Sequence, residues 1–273
     1  FKVNQIFDDP NNLFLAENSW DALLLACPTS AMIDYIKKLN KCNKPILAEK
    51  PITHSLKEIK PFIRNKNISV AFNRRFYQSS IFAKKFLKNN ENIFIRITIP
   101  ERFKHFQSNS GDIKIFNTST YENSIHIFDL LNFLIGKIKW LSFNKLNKGK
   151  NILYFIATGI TDRNHLIQLN SCYDSSDNFS IEFISGNKRL ELKPIEIATL
   201  YEGMEIKQPT KKIPVRQHVP LIVKKISEKN NFFKPGFYQQ AIQFMKFCNG
   251  DLKARVSIKN LYDAIKLIDD LPK

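Results

Sequence analysis

Glycine is scarce in this sequence, with 8 residues among 273, and the first of them is Gly111. A phosphate-binding turn of the Gly-x-Gly-x-x-Gly type needs closely spaced glycines, because the backbone must turn tightly and approach the phosphates. The shortage of glycine therefore excludes such a turn from the first third of these 273 residues.

Cysteine is also sparse, and the four residues Cys27, Cys42, Cys172 and Cys248 are too widely spaced for Cys-x-x-Cys pairs. This spacing excludes the common zinc and redox motifs, and no metal site is predicted. Free thiols are expected, which is typical of a reducing compartment such as the cytoplasm. No apolar run approaches the roughly 20 residues that a membrane-spanning helix needs, so no membrane partner is expected.

Acidic residues are few, since 25 Asp and Glu stand against 42 Lys and Arg, and the net charge is +17. Such a charge could attract nucleic acid, because Lys and Arg release counterions from phosphates. The cations are spread along the whole chain, however, and the densest pairs, Lys211-Lys212 and Lys224-Lys225, lie outside any RNA-binding motif. We therefore expect no nucleic-acid partner. The basic surface would suit a phosphorylated or nucleotide-linked small substrate.

Apolar residues make up 43% of the chain, which is enough for a substantial core. In the first 73 residues, three short apolar runs at 22–27, 45–48 and 68–72 predict buried strands. Between the first two runs, the apolar residues of 30–42, namely Met32, Ile33, Ile36 and Leu39, fall on one face of a predicted helix. Between the second and third runs, Ser55-Leu-Lys-Glu58 has the spacing of a capping box that starts a helix. This order predicts a parallel sheet with right-handed crossovers.

The rest of the chain has a different pattern. A helix is predicted at 78–89, a strand at 93–99, and an amphipathic helix at 121–135 that ends at Gly136. Strands then follow with few helices between them, at 138–143, 152–160, 166–172, 179–184 and 189–192. Helices at 237–247 and 258–268 close the chain. A largely antiparallel open sheet with one helical face fits this run.

Four short motifs follow the predicted strands or open the central helix. They are Ala26-Cys27-Pro28-Thr29 after the first strand, Ala48-Glu49-Lys50-Pro51 after the second, Asn73-Arg74-Arg75-Phe76 after the third, and Glu122-Asn123-Ser124-Ile125-His126 in the helix that Gly136 ends. Because parallel strands deliver their carboxyl ends to one edge, where ligands bind, the first three are expected to converge.

Together these motifs resemble the Gfo/Idh/MocA family, named after glucose–fructose oxidoreductase and inositol dehydrogenase, from about Trp20 to the C terminus. The resemblance implies an α/β fold: a partial Rossmann-type parallel-sheet domain at 1–73, then an α+β domain with a largely antiparallel open sheet at 74–273. The C-terminal helices would pack back on the first domain. A homo-oligomer, dimer or tetramer, is also implied.

The activity implied by this resemblance is that of an NAD- or NADP-dependent oxidoreductase. It would transfer a hydride to or from the hydroxyl or keto carbon of a sugar, cyclitol or nucleotide sugar, with the nicotinamide between the domains. Lys50 would contact the substrate oxygen, and His126 would act as acid or base, since an ordinary histidine pKa of about 6.5 suits both tasks. Glu122 would take a position usually filled by Asp, and it lies four residues before His126.

The resemblance also implies binding residues. Cofactor contacts are expected from Cys27, Pro28, Thr29, Glu49, Lys50 and Asn73, and substrate contacts from Arg75, Asn123 and His126. Each of these residues has a structural alternative. Lys50 could be a solvated charge, His126 a buried structural histidine, Glu122 a favourable charge at a helix N-terminus, and Arg75 a surface charge.

The sequence departs from the family pattern in two places, and these departures leave two hypotheses about the function open. The family's Pro-Asn-x-x-His pattern appears here as Pro28-Thr29-Ser30-Ala31-Met32, and the Gly-rich turn is absent. Because the sequence begins with Phe1, we expect an N-terminal truncation with the first βαβ unit encoded upstream. A truncated sheet would expose an apolar edge and favour association. The alternative is a degenerate, non-catalytic family member that acts as a binding or scaffold subunit.

Overall fold

The computed structural model of the chain describes residues 6–102, 119–148, 151–228 and 232–271. Two compact units make up the chain. The first contains Phe1–Phe72 and Gln240–Tyr262, and the second contains Asn73–Gln239 and Asp263–Lys273. Among the described residues, no helix is long and apolar enough to cross a membrane.

The first unit is built on a three-stranded parallel sheet in the order β1-β2-β3. Its strands are β1 (Leu23–Leu25), β2 (Ile46–Ala48) and β3 (Ile68–Val70). Leu25, Ala48 and Val70 are in register, so all three strands end at the same edge. The parallel sheet predicted from the three apolar runs is confirmed, with each strand shorter than its run.

Short helices alternate with these strands. They are α1 (Pro10–Leu15), α2 (Thr29–Lys38) and α3 (Leu56–Ile59), with 3-10 turns at Glu17–Ser19, Leu39–Lys41 and Lys60–Phe62. Helix α2 buries Met32, Ile33 and Ile36, which are spaced three and four residues apart on one face. The predicted alternation of strands and helices is therefore confirmed in this unit.

Of the two reciprocal hydrogen bonds in the capping box predicted at Ser55 and Glu58, one is formed as predicted and the other goes to a different residue. The backbone N–H of Glu58 donates to the Ser55 hydroxyl at 3.3 Å, as predicted. The Glu58 carboxylate, however, accepts from the Thr53 hydroxyl, and that hydroxyl in turn accepts from the backbone N–H of Ser55 at 3.1 Å. A hydroxyl two residues before the cap thus takes the reciprocal hydrogen bond, which the four-residue pattern does not reveal.

The second unit contains an eight-stranded sheet in the order β11-β10-β9-β8-β4-β7-β6-β5. Its strands are β4 (Phe94–Ile99), β5 (Ile138–Lys148), β6 (Asn151–Thr161), β7 (Leu166–Cys172), β8 (Ser180–Ser185), β9 (Lys188–Leu192), β10 (Ala198–Lys207) and β11 (Gln217–Ile226). Every neighbouring pair is antiparallel except β4 with β7. The predicted open, largely antiparallel sheet is confirmed.

Strands β10 and β11 were not predicted from the sequence. Strand β11 is the edge of the sheet and is exposed along most of its length, so no buried face imposes alternation of polar and apolar residues. It also contains Pro220, which an edge strand tolerates because no neighbour needs its missing N–H. The pairing of β10 with β11 shifts register near Tyr201, which further disrupts the pattern.

The helices of the second unit include α4 (Gln78–Lys88) and α5 (Ile125–Ile135), and a π-helical turn at Thr120–Ser124 leads into α5. A 3-10 turn, Asn73–Phe76, precedes α4. Helix α5 ends at Gly136, with φ of 80°, as predicted. The closing helices are α6 (Phe237–Cys248) and α7 (Ile258–Asp269), with a 3-10 turn, Leu252–Ala254, between them.

A buried ion pair joins the turn Asn73–Phe76 to α5. The Arg75 guanidinium donates from Nε and Nη2 to the two Asp129 carboxylate oxygens, at 2.7 and 2.5 Å. Arg75 is 8% exposed and Asp129 1%. Burial raises the pKa of Asp129, while the charge and hydrogen bonds of Arg75 act in the opposite direction. The ring of Phe133, one turn further along α5, lies against both Arg75 and Lys84 of α4.

The turn Asn73–Phe76 also packs against the segment that precedes α6. The Asn73 amide donates to the carbonyl of Pro235 at 3.2 Å. Gly236 has φ of 76°, and a Cβ atom there would lie 2.3 Å from the Asn73 carbonyl oxygen and 2.9 Å from the Tyr77 ring. Only glycine fits this position without a shift of the backbone.

We expect Gly236→Ala to lower the free energy of unfolding by about 2–5 kcal/mol. The positive φ costs alanine about 1–2 kcal/mol, and relief of the clash with Asn73 adds about 1–3 kcal/mol. Gly203→Ala is the control, because Gly203 has φ of 71° but no atom within 4 Å of its Cβ position. Urea unfolding measures both variants, and equal losses would contradict the close packing at Gly236.

We expect Asp129→Asn to destabilise the protein by about 3–5 kcal/mol, because it leaves the Arg75 guanidinium buried without a counter-charge. Asp270→Asn is the control. It removes an exposed pair with Lys266, 3.2 Å apart, whose side chains are about half exposed, and its loss should stay below about 1 kcal/mol. Denaturant midpoints compare the two, and a similar small effect at both sites would overturn this assignment.

Candidate functional site

Two of the predicted segments of the first unit meet at the carboxyl edge of the parallel sheet. The backbone N–H of Glu49, which follows β2, donates to the carbonyl of Leu25 in β1 at 2.8 Å. The backbone N–H of Lys50 donates to the Glu49 carboxylate at 3.2 Å. The structure thus brings Glu49 and Lys50 to the end of β1, where Cys27 follows two residues later.

Lys50 is half-buried, and the three residues that follow it, Pro51, Ile52 and Thr53, are buried. The Lys50–Pro51 peptide bond is cis. Burial of these neighbours fixes the backbone on the C-terminal side of Lys50, while the hydrogen bond between Glu49 and Leu25 fixes the other side. The backbone position of Lys50 is therefore set by the sheet edge.

Helix α2 begins at this same edge. Pro28 is its N-cap and has no polar side chain, so no side-chain hydrogen bond caps the helix. The Pro28 carbonyl accepts from the amides of Ala31 and Met32 at 2.9 and 3.1 Å. The N-terminus of a helix favours a negatively charged or polar ligand group, and Thr29 occupies its first turn. Burial raises the pKa of the Cys27 thiol, so this side chain is a neutral group at physiological pH.

In the second unit, the π-helical turn before α5 carries Glu122 and Asn123. Both side chains are half-buried and line a cavity of about 550 Å³. This volume is typical of small-molecule sites. Among the described residues, the rest of the lining consists of Pro100, Glu101, Arg102, Asp177, Asn178 and Phe179. Two residues assigned to the site from the resemblance are thus neighbours in one polar cavity.

Glu101 holds the turn that presents these residues. Its carboxylate is 3% exposed and accepts from the Asn123 amide at 3.1 Å and from the Ser124 hydroxyl. At the start of the turn, the Tyr121 hydroxyl donates to the Asp269 carboxylate. Burial and the neighbouring Asp269 raise the pKa of Tyr121, so the phenol keeps its proton. π-helical turns are rare and often occur at functional sites.

His126 lies in the first turn of α5 and is 8% exposed. The single α-helix predicted at 121–135 is replaced by a π turn, Thr120–Ser124, followed by an α-helix, Ile125–Ile135. As far as the described residues go, the lining of the cavity includes Glu122 and Asn123 but not His126. The structure therefore brings together two of the three candidate side chains of this helix.

Arg75 and Asn73 have protein partners in the structure. The Arg75 guanidinium is bound to Asp129 through two hydrogen bonds, and the Asn73 amide is bound to Pro235. Both side chains are buried, and neither is among the described residues that line the cavity. Their assignment to the substrate and the cofactor stays a prediction, and the two hydrogen bonds to Asp129 favour a structural role for Arg75.

Several residues of the cavity were missed from the sequence. Glu101 and Arg102 follow β4, after Pro100, in the same way that Lys50 follows β2. Asn178 and Phe179 precede β8, and because β4 and β8 are antiparallel, with Thr98 opposite Ser180, the start of β8 lies beside the end of β4. Applying the strand-end rule to β4 would have identified Glu101. The partner strand β8 follows only from the sheet order.

No protein-family model and no curated protein matches the sequence. Solved structures do match the fold. A dehydrogenase (MviM) from Clostridium difficile has a TM-score of 0.69 at 16% identity, over 96% of this chain and 81% of that one. An inositol dehydrogenase homologue from Azotobacter vinelandii, complexed with NAD+, has a TM-score of 0.70 at 12% identity, over 97% and 79%.

A third similar structure is levoglucosan dehydrogenase in complex with NADH and levoglucosan. Its TM-score is 0.71 at 11% identity, and the likeness covers 97% of this chain and 80% of that chain. These structures belong to the Gfo/Idh/MocA family. The fold predicted from the sequence motifs is therefore confirmed, and the chain has the fold of the Gfo/Idh/MocA dehydrogenases.

Proposed function

We propose that the protein is an NAD(P)-dependent oxidoreductase that transfers a hydride to or from a hydroxyl or keto carbon of a sugar, cyclitol or nucleotide sugar. The observation that carries the proposal is the position of Lys50. It is the second residue after the buried parallel strand β2 and is tied to the end of the neighbouring strand through Glu49, in a chain with the fold of sugar-type dehydrogenases. Free cysteines among the described residues suit the cytoplasm.

The residues at the sheet edge fit the nicotinamide half of such a cofactor. Half-buried Lys50 offers a cation, and the uncapped start of α2 at Thr29 suits the polar groups of a nucleotide. Cys27, Pro28, Glu49 and Asn73 complete the proposed cofactor contacts. When bound, a nicotinamide accepts or supplies the hydride. We assign no pyrophosphate contact to these 273 residues, because they contain no Gly-rich turn.

The remaining task of alcohol oxidation is to move the hydroxyl proton and to stabilise charge on the oxygen. We assign the charge stabilisation to the Lys50 ammonium and the proton to His126, because an imidazole can both accept and return a proton. Glu122 lines the cavity and would orient the substrate hydroxyl, together with Asn123. In the reverse direction the same groups would return the proton to a keto oxygen.

A second candidate is a non-catalytic binding or scaffold subunit. It is favoured by the change of the family's Asn and His to Thr29 and Met32, and by the absence of His126 from the described lining of the cavity. A nicotinamide site is not required by this function. Cofactor binding and turnover therefore distinguish the two candidates.

We expect NADH or NADPH to bind, measured by fluorescence titration of the protein with any native upstream segment included. Lys50→Ala and His126→Ala should each lower kcat by about 10²–10⁴. The double variant should lose less than the product of the two losses, because both groups serve one step. Lys57→Ala, an exposed lysine of α3 in the same unit, is the control and should keep full activity.

Each outcome bears on a different part of the proposal. If neither cofactor binds, the enzyme proposal fails and the scaffold function is favoured. If cofactor binds but Lys50→Ala turns over at the rate of the Lys57→Ala control, the role assigned to Lys50 is wrong. Circular dichroism of the variants separates a loss of chemistry from a loss of folding.

We further propose that the protein is a homo-oligomer that associates through the outer face of the eight-stranded sheet. Alternate residues of the central strands point to this face, while the intervening ones are buried. One cross-strand row is apolar, and it consists of Ile160, Leu166, Phe94 and Ile184. Ile156 and Tyr154 of β6 are on the same face and are 47% and 41% exposed.

The charges on this face balance one another. Arg96 forms an ion pair with Glu182 at 2.6 Å, Arg189 lies over the Tyr201 ring, and the Tyr201 hydroxyl donates to Glu191. A chain with a net charge of +17 repels its own copies, so a charge-balanced, partly apolar face is where two copies can approach at least cost.

We expect Ile156→Lys to shift the protein to monomers in analytical ultracentrifugation, because a new charge would be buried at the contact. Leu15→Lys on α1 is the control. Leu15 is 85% exposed and lies on the first unit, so this change should leave the mass unaltered. A wild-type monomer, or an Ile156→Lys oligomer, would contradict the proposed contact.

A further inference from the structure

The second unit contains another cavity, of about 240 Å³. Among the described residues, its lining includes Gln78, the first residue of α4, Glu228, two residues after β11, and several residues around the start of α6. None of the residues proposed to contact the substrate or the nicotinamide cofactor is among the described lining residues. The lining therefore has no assigned part in the proposed reaction.

Two aromatic side chains form a stacked pair in this lining. The ring centroids of Phe233 and Tyr238 are 5.5 Å apart, and the ring planes are inclined by only 17°. Phe233 is 54% exposed and Tyr238 is 50% exposed, so much of their ring surface is in contact with water. Burial of that surface by a further planar ring is favourable, because aromatic rings stack on one another in an offset arrangement.

Polar groups in the same lining suit the edge of a nucleobase. The Glu228 carboxylate accepts from the backbone N–H of Gln78 at 2.9 Å, which fixes the carboxylate at the start of α4. A carboxylate has several lone pairs, so it can also accept from an amino group of a ligand. The side-chain amides of Gln78 and Gln239 can each donate and accept, and a glutamine amide pairs in this way with N6 and N7 of adenine.

Lys234 adds an exposed cation to the lining. A lysine ammonium binds phosphate groups as a point charge. A sugar ring has no flat aromatic face to place on the stacked pair, and an uncharged aromatic compound has no anion to place at Lys234. A nucleotide carries both features, and adenine also has the amino group that can donate to Glu228. The combined lining therefore fits an adenine nucleotide better than either simpler compound.

We propose that this cavity binds an adenine nucleotide, with the base stacked on Phe233 and Tyr238 and the phosphate at Lys234. The amino edge of the base would meet Glu228 and the glutamine amides. Stacking on aromatic side chains supplies much of the affinity for a base, and hydrogen bonds to its edge select which base is bound. This site goes beyond the proposed oxidoreductase function and does not rest on it, because none of the described lining residues is assigned to that reaction.

The experiment measures dissociation constants by calorimetry for three compounds: AMP, adenosine and ribose 5-phosphate. We expect AMP to bind most tightly. Adenosine should bind about two- to fivefold more weakly, because it lacks the phosphate that pairs with the exposed Lys234. Ribose 5-phosphate should bind at least about tenfold more weakly than AMP, because it has no base to stack.

Variants of the lining locate the bound nucleotide. Phe233→Ala and Tyr238→Ala should each weaken AMP binding by about tenfold or more, since either change removes half of the stacked pair. Lys234→Ala should weaken AMP binding by about two- to fivefold and leave adenosine binding unchanged. Phe237→Ala is the matched control, because Phe237 is 45% exposed, lies one residue before Tyr238 and is not among the described lining residues. It should leave the dissociation constant of AMP unchanged.

Absence of AMP binding would overturn the inference, and so would ribose 5-phosphate that binds as tightly as AMP. Equal AMP affinity in Phe233→Ala, Tyr238→Ala and the Phe237→Ala control would place the nucleotide elsewhere and also overturn it. NADH titrated in saturating AMP should bind as tightly as NADH alone, and competition between the two would assign AMP to the cofactor site instead. A protein that binds AMP in this pattern but no NADH supports the adenine-nucleotide site and contradicts only the proposed enzyme.

Discussion

Removing a guanidinium and a carboxylate from water is costly unless each satisfies the other, and Arg75 and Asp129 meet this condition through two short hydrogen bonds. The pair joins the turn Asn73–Phe76 to α5, and Phe133 extends the contact to Lys84 of α4. Helix α5 carries His126, and the π-helical turn directly before it carries Glu122. The geometry of the candidate residues in the second unit therefore depends on a buried charge pair that does not line their cavity.

The net charge of the chain and the charged groups that line the cavity act over different distances. Exposed charges farther apart than about 8–10 Å are largely screened at physiological ionic strength, so the net charge of +17 has little influence on a ligand inside a cavity. Within hydrogen-bond distance, Glu101 and its neighbours dominate because they are partly removed from water. The same distinction applies to the outer face of the sheet, where Arg96 and Glu182 cancel each other locally.

Much of this architecture could be predicted because burial imposes a pattern on the sequence. The apolar runs around Leu25 and Ala48, and the helix stop at Gly136, are patterns of that kind, and they also placed Lys50 at a strand end. Strand β11 was missed because it is exposed and has no buried face to mark it. The cavity was missed because Glu101 and Phe179 meet through the pairing of β4 with β8, and no local pattern encodes the order of strands in a sheet.

Arg75 shows how burial decides between two roles that the sequence leaves open. A guanidinium can bind a carboxylate of a substrate or of the protein, and the sequence predicted a substrate contact for Arg75 while leaving a structural alternative open. Here the edge formed by Nε and Nη2 is bound to Asp129, the Phe133 ring lies against the group, and only 8% of the residue is exposed. A substrate that displaced Asp129 would leave that carboxylate buried without its counter-charge, which costs more than one new ion pair returns. The contacts of Arg75 therefore favour a residue that supports the site over one that binds the substrate.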